Sequence, residues 1–352
     1  MERKREKILR QSAKSYFVGF LVFVAVVGIA RIIWLVTPDW SGFGDKTLWD
    51  LLELIIIPVV LAAGVIWFEW RQRESERDIA YQRAENDRKI ANERSRDEIL
   101  QGFLDKMTEL ILDKGLKKSD EGAEVRDIAR ARTLTTLRGL DKNRKGTLLR
   151  FLKDTDLISA NAAIINMEEA DLSDLNLLHV ETVQEFERGG SIMLPRPADL
   201  SKIALAKTNL SGANLSFADL TGADLRNANL FQSTVATAIL SSANLEEAIL
   251  IEANLTYSIF ENANLKKSRL FRAHIRWSNL QGTDLSDTDL RHADLREAKL
   301  QGANLSRANL SFADFTGAEV SVEQLARAER LSDAILPDGK RYDGRFSLAG
   351  DN

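Results

Sequence analysis

The chain has 352 residues, enough for two or three modules. It has no cysteine and only three widely spaced histidines, His179, His274 and His292, which excludes disulfide scaffolds, thiolate metal sites and cysteine nucleophiles and disfavours a multi-histidine centre. With 48 basic and 52 acidic residues the net charge is −4, a balance that argues against a bulk nucleic-acid binder.

The charge is strongly segregated along the chain. Residues 16–36 (YFVGFLVFVAVVGIARIIWLV) are apolar but for Arg31, and at about 1.5 Å per residue they reach roughly 30 Å, one bilayer core. Residues 51–68 (LLELIIIPVVLAAGVIWF) form a second apolar run, with Glu53 near its start and Pro58 inside. Both read as membrane spans, in a hairpin over residues 1–70. Six basic residues in the first 14, one (Lys46) in the connection, and Arg71, Arg73 and Arg77 after the second run place both termini in the cytoplasm. Trp34, Trp40, Trp49, Trp67 and Trp70 cluster at the span ends as an interfacial belt. Arg31 and Glu53 read as a snorkelling pair, with a polar pore pair as the other reading.

Residues 69–98 alternate in charge and are rich in helix formers, which predicts a solvated helical stalk over 71–115, about 45 Å for its first 30 residues. Ile79 and Ile90 stand eleven apart, the spacing of a weak right-handed coiled coil through which the chain could self-associate. An apolar face at helical spacing runs through Phe103, Met107 and Leu110 at the end of the stalk, and further such faces through Ala131, Leu134 and Leu137 and through 148–152 give a helical cap over 116–157. The basic turn 141–146 reads as a solvated helix–helix turn, with phosphate or headgroup contact as the alternative.

From Leu200 to Val320 every fifth residue is apolar: 25 positions, 20 of them Leu. Two residues before each centre stands a small residue at all but one position, Ile203, and one before it stands Asn or Asp at 16 of 25. A period of five fits neither helix nor flat strand. It fits a chain that turns a corner every five residues, with the large apolar side chain inward and Asx at the turn. Residues 20 apart, Lys207, Asn227, Glu247, Lys267, Asp287 and Arg307, alternate enough in charge to stack as ion pairs if four sides close one coil. About six coils then rise roughly 30 Å.

ANLSFADLTGADLRNANL (213–230) and ADLREAKLQGANLSRANLSFADF (293–315) resemble the pentapeptide-repeat family, whose motif is A(D/N)LXX. The resemblance implies an all-β solenoid, a right-handed quadrilateral β-helix, here over 158–320 and preceded by the α-helical region. EEADLSDLNL (168–177) matches in a shifted frame, so the stretch near 179–196 is an inserted loop. Segments 78–88, 104–116 and 128–152 resemble, more loosely, membrane-bound pentapeptide-repeat proteins of cyanobacteria and other bacteria. That places the chain in a bacterial inner or thylakoid membrane. Over 321–352, Ser321-Val-Glu-Gln324 resembles a capping box and LPDG (336–339) a turn.

No catalytic set, P-loop, dinucleotide fingerprint or metal-ligand spacing appears, so a non-enzyme without cofactor or metal is expected. The repeat departs from its rule mainly between Thr234 and His274, where six Asx positions are replaced. The same coils carry Phe231, Ile251 and Phe271, Tyr257 and Trp277, with Lys266, Lys267, Arg269, Arg272 and Arg276 around them. These read as an apolar, basic-rimmed docking face for a cytoplasmic or membrane protein, or else as drift in a tolerant repeat whose bulky residues cover adjacent corners. The expected function is a membrane-anchored scaffold. A two-span channel component with the rod as regulatory domain is the second reading. A topoisomerase-binding DNA mimic, known among relatives of this family, is the third, opposed by 13 basic and 14 acidic residues from Arg196 to Glu319.

Overall fold

The computed structural model describes residues 48–177, 179–185 and 191–344. The chain divides into two compact units, Met1–Asp87 and Arg88–Asn352. Helix α1 spans Leu48–Leu112. Its charged middle is exposed and laced by i,i+4 pairs such as Arg73 with Glu69 at 3.3 Å.

Among the described residues no helix is long and apolar enough to cross a membrane. This overturns the multi-pass placement in a bacterial inner or thylakoid membrane. The first expected span, 16–36, lies outside the described residues. The second, 51–68, is not a separate element. It is part of one continuous 65-residue helix, and it runs without a break into the charged residues from Glu69 onward.

A 3-10 turn, Leu116–Lys118, leads to α2 (Glu124–Gly139) and α3 (Lys142–Asp154). The basic turn is the start of α3: Asp141 is its N-cap, accepting from the amides of Asn143 and Arg144. Leu148, Leu149 and Leu152 are fully buried, and Phe151 meets Phe103 of α1 edge-on at 6.3 Å. Arg144 gathers Asp97 and Glu93 of α1, both at 2.8 Å, together with Asp141.

The coil that follows is four-sided. Parallel bridges join Asp199 to Asp219, Ala204 to Asp224, and so on up to Lys299 with Glu319, with four repeat steps between partners throughout. From Leu200 to Phe315 every fifth side chain is at most 1% exposed. Each centre is followed by two turn residues, the second with φ near +60°, and the small residue beyond donates back to the centre's carbonyl, as Ala213 does to Leu210 at 3.1 Å. This is a type II turn. Most of these left-handed positions are not glycine; Tyr257, Trp277 and Phe312 hold them, because inter-coil hydrogen bonds fix the backbone there. Where Asn or Asp precedes the centre, its carboxyl or amide oxygen accepts the amide two residues on, as Asn264 does from Lys266. Side-chain amides add a second ladder by donating one coil back, Asn264 to the Asn244 amide oxygen at 3.1 Å and Asn304 to the Asp284 carboxylate at 3.0 Å.

The first coil obeys the same geometry across an insertion. Asp171 bridges Asn209 and Asn176 bridges Asn214, a wider separation along the chain than the four repeat steps elsewhere, and the excess equals the segment 179–196. The expected loop is a hairpin, β1 (His179–Glu185) antiparallel to β2 (Ser191–Arg196). Helix α3 covers this end: the Asn176 amide donates to the Lys142 carbonyl at 3.1 Å, and Arg150 donates to the Leu177 carbonyl at 3.2 Å. At the other end α4 (Val322–Leu325) carries the full capping box, and Gln324 Nε2 donates to the carbonyls of Leu300 and Ala303.

Small inward hydroxyls donate to carbonyls of the core, as Thr208 does to Leu205 at 2.7 Å. Ser268 is fully buried, and among the described residues its Oγ has no partner. Ser268→Ala removes that unmet group. It should raise the unfolding free energy by about 1 kcal/mol in urea titrations, where an ordinary small-residue change would lower it.

Candidate protein-interaction faces

Inward and outward residues alternate, so outward positions one coil apart form columns, and each coil side presents one column between two corners. Four faces result. The first carries the column through Asp224, Asn244 and Asn264; the second Asn229, Ile249 and Arg269; the third Asn254, His274 and Asp294; the fourth Asp219, Ile239, Ile259 and Asn279.

The expected docking residues fall on three corners. Lys266 and Lys267 occupy the corner between the first and second faces, where Lys267 pairs with Glu247 at 3.2 Å and Arg307 with Asp287 at 2.5 Å. The charge column read from the sequence is therefore stacked as expected. Phe231, Ile251 and Phe271 line the corner between the second and third faces. There Arg272 lies 5.1 Å from the Phe271 ring centre and 3.9 Å from Glu252. The same corner continues through His292, edge-on to Phe271 at 5.6 Å and stacked on Phe312 at 4.7 Å. His292 and Phe312 lie outside the expected set, although both continue the Arg272 column at steps of one coil.

Tyr257 and Trp277 stand on the corner between the third and fourth faces. Their rings stack at 4.9 Å and 6°, and both are exposed. Arg276 lies over the Trp277 ring at 4.1 Å and 3.8 Å from Asp294. On the fourth face beside them are Ile239 and Ile259, with Phe217 two coils below Tyr257 on the same corner. Ile239 and Ile259 are legible as broken Asx positions, but only the column arithmetic joins them to Tyr257.

The third face is held electrostatically. Burial pushes the Asp294 carboxyl up, but hydrogen bonds from the guanidinium and amide of Arg296 hold it below the ordinary 3.8. Asp289 with Arg291 and Asp224 with Arg226 repeat the arrangement. Folded-state carboxyl values below the unfolded value contribute stability that is complete above pH 3.8 and is lost as pH falls below it. The urea midpoint should hold steady from pH 7 to 5 and drop below pH 4; a drop between 7 and 5 would contradict this.

The family described as pentapeptide repeats matches the chain in eight copies, over residues 198–234, 238–266, 248–287, 268–307 and 288–321. No curated protein matches the chain. Among solved structures it is similar to full-length QnrB1, a plasmid-mediated fluoroquinolone resistance protein, at 18% identity over 39% of this chain and 79% of that one, TM-score 0.33. It is also similar to Rfr23, a pentapeptide repeat protein from the cyanobacterium Cyanothece 51142, at 28% identity over 42% and 86%, TM-score 0.23. HetL, a pentapeptide repeat protein involved in heterocyst differentiation regulation from the cyanobacterium Nostoc, is 29% identical over 55% and 98%, TM-score 0.17.

Proposed function

Taking residues 198–321 as pentapeptide repeats, we propose that this part of the chain is a non-catalytic, cofactor-free rod that binds another protein through its aromatic corners. The observation that carries the reading is the exposed Tyr257–Trp277 stack with Arg276 over it. Exposed, rigid aromatic side chains joined to an arginine are the residue types that dominate protein interfaces. Holding them on a coil whose backbone is fully bonded avoids the ordering cost that a loop would bring. The near-neutral rod charge supports this over DNA mimicry, which requires a strongly acidic surface.

Photo-cross-linking residues placed at Tyr257, Trp277 and Phe217 should each label a polypeptide in host cells, and one placed at Asn227, on the corner between the first and second faces, should not. Equal labelling from all four positions, or none from any, would refute the proposal. Trp277→Ser should leave the urea midpoint nearly unchanged, since the ring is exposed and its backbone carries the coil bonds.

A further inference from the structure

The fourth face differs from the other three in charge as well as in apolarity. Phe217, Ile239, Tyr257, Ile259 and Trp277 form its centre. Around them stand Asp219, Glu261, Glu297 and Glu319, with Lys299 as the one cation of the outward column. Among the described residues none of these four carboxylates forms an ion pair. On the other faces Asp224, Asp287, Asp289 and Asp294 are all bridged by arginine. Glu261 and Glu319 accept only from neutral amides, of Asn279 and Gln301. The face is an apolar strip bordered by four carboxylates without an ion pair; the cations on its corner, Arg276 and Arg296, are both drawn to Asp294 of the third face.

Two features choose the occupant. The backbone of the strip is spent: the Ile239 amide donates to the Ala218 carbonyl and the Ile259 carbonyl accepts from Leu240. An extended peptide laid on it would gain no ladder and would leave its own backbone unmet. The strip is also narrow. One side of a coil is roughly 10 Å wide, and the four steps from Phe217 to Glu297 rise roughly 19 Å. That area is a fraction of the roughly 800 Å² per partner of a stable interface between globular surfaces. It matches a single helix, about 10 Å across and roughly 13 residues long.

Resting on the docking reading above, we infer that the fourth face binds one amphipathic helix that is apolar on one side and basic on its flanks. The apolar stripe lies on Ile239, Ile259, Tyr257 and Trp277, and lysines or arginines of the helix meet Glu261 and Glu297.

The test uses the full chain and three fluorescein-labelled peptides of about 18 residues, five helical turns: a Leu/Lys sequence of helical period, the same composition with period two, and a Leu/Glu helix. Fluorescence anisotropy should show the Leu/Lys helix binding at least tenfold tighter than either control. Trp277→Ser with Tyr257→Ser, and separately Glu261→Lys with Glu297→Lys, should each weaken it at least tenfold, whereas Phe231→Ser with Phe271→Ser should change it less than twofold. Equal binding of the period-two or acidic peptide, or equal loss in the Phe231/Phe271 variant, would overturn the inference. So would a dimer in sedimentation that Trp277→Ser dissolves, since the strip would then be covered by a second copy. Cross-links from position 277 separate the two readings. A partner labelled on a strand or loop removes the helix but keeps the docking rod, and no labelled partner removes both.

Discussion

Replacing Phe260 with Ala is expected to lower the unfolding free energy by about 3–5 kcal/mol, among the largest single-residue effects in the rod. Phe260 is fully buried in a column whose neighbours one coil away are Leu240 and Leu280. Its ring is the bulkiest filling of its coil, and the backbone around it is pinned by the Leu240–Ile259 and Phe260–Asn279 hydrogen bonds, both under 2.8 Å. The walls therefore cannot close on the space left behind. Because each coil touches only its neighbours, the damage should spread outward from the centre of the array. Hydrogen exchange should quicken first in the coils around 240–280 and least in the capped ends. A loss below about 1 kcal/mol, or uniform quickening, would contradict the stacked core.

Gly146→Val is expected to lower stability by about 1–3 kcal/mol and to loosen the first coil. A Cβ at Gly146 would stand 3.0 Å from the Asn176 carbonyl oxygen and 3.4 Å from the Leu177 side chain. The oxygen belongs to backbone that the Lys142 and Asn214 contacts already fix, so it cannot move aside cheaply. In an exposed helix the same substitution would be neutral or favourable, because glycine is the weaker helix former. Here α3 must retreat from the coil, and Lys145, whose ammonium donates to the Ser173 carbonyl and pairs with Asp171 at 3.6 Å, loses its partners with it. Exchange of the amides at 172–177 should rise sharply. Unchanged exchange there would mean that α3 does not close this end.

The solenoid was legible because its signal is a strict period. Buried leucines at every fifth position, the Lys207-to-Arg307 charge column and the frame offset between 177 and 200 are each visible as spacing, and each is a contact in the structure. The capping box at Ser321 was legible for the same reason, since its chemistry is local. The membrane reading failed where composition was taken for an element: the run at 51–68 has no boundary of its own within α1. The docking surface was only half legible. Lys267, Phe271 and Trp277 are near neighbours in the chain, yet corners turn them onto different faces. Tyr257 and Ile239 stand almost a full coil apart in the chain but share one strip. The insertion at 179–196 pairs as a hairpin, which neither its composition nor a repeat period announces.

The claim beneath all of this is that four sides of five residues close one coil. The chain has no cysteine, so introduced pairs report cleanly. Stacked positions lie about 4.8 Å apart, within disulfide reach. Oxidation of Ser241→Cys with Glu261→Cys, 20 apart, should be near complete, while Ser241→Cys with Thr256→Cys or with Lys266→Cys, 15 and 25 apart, should stay reduced. A bridge in either of the latter, and none in the first, would contradict the four-sided coil and every face assigned from it.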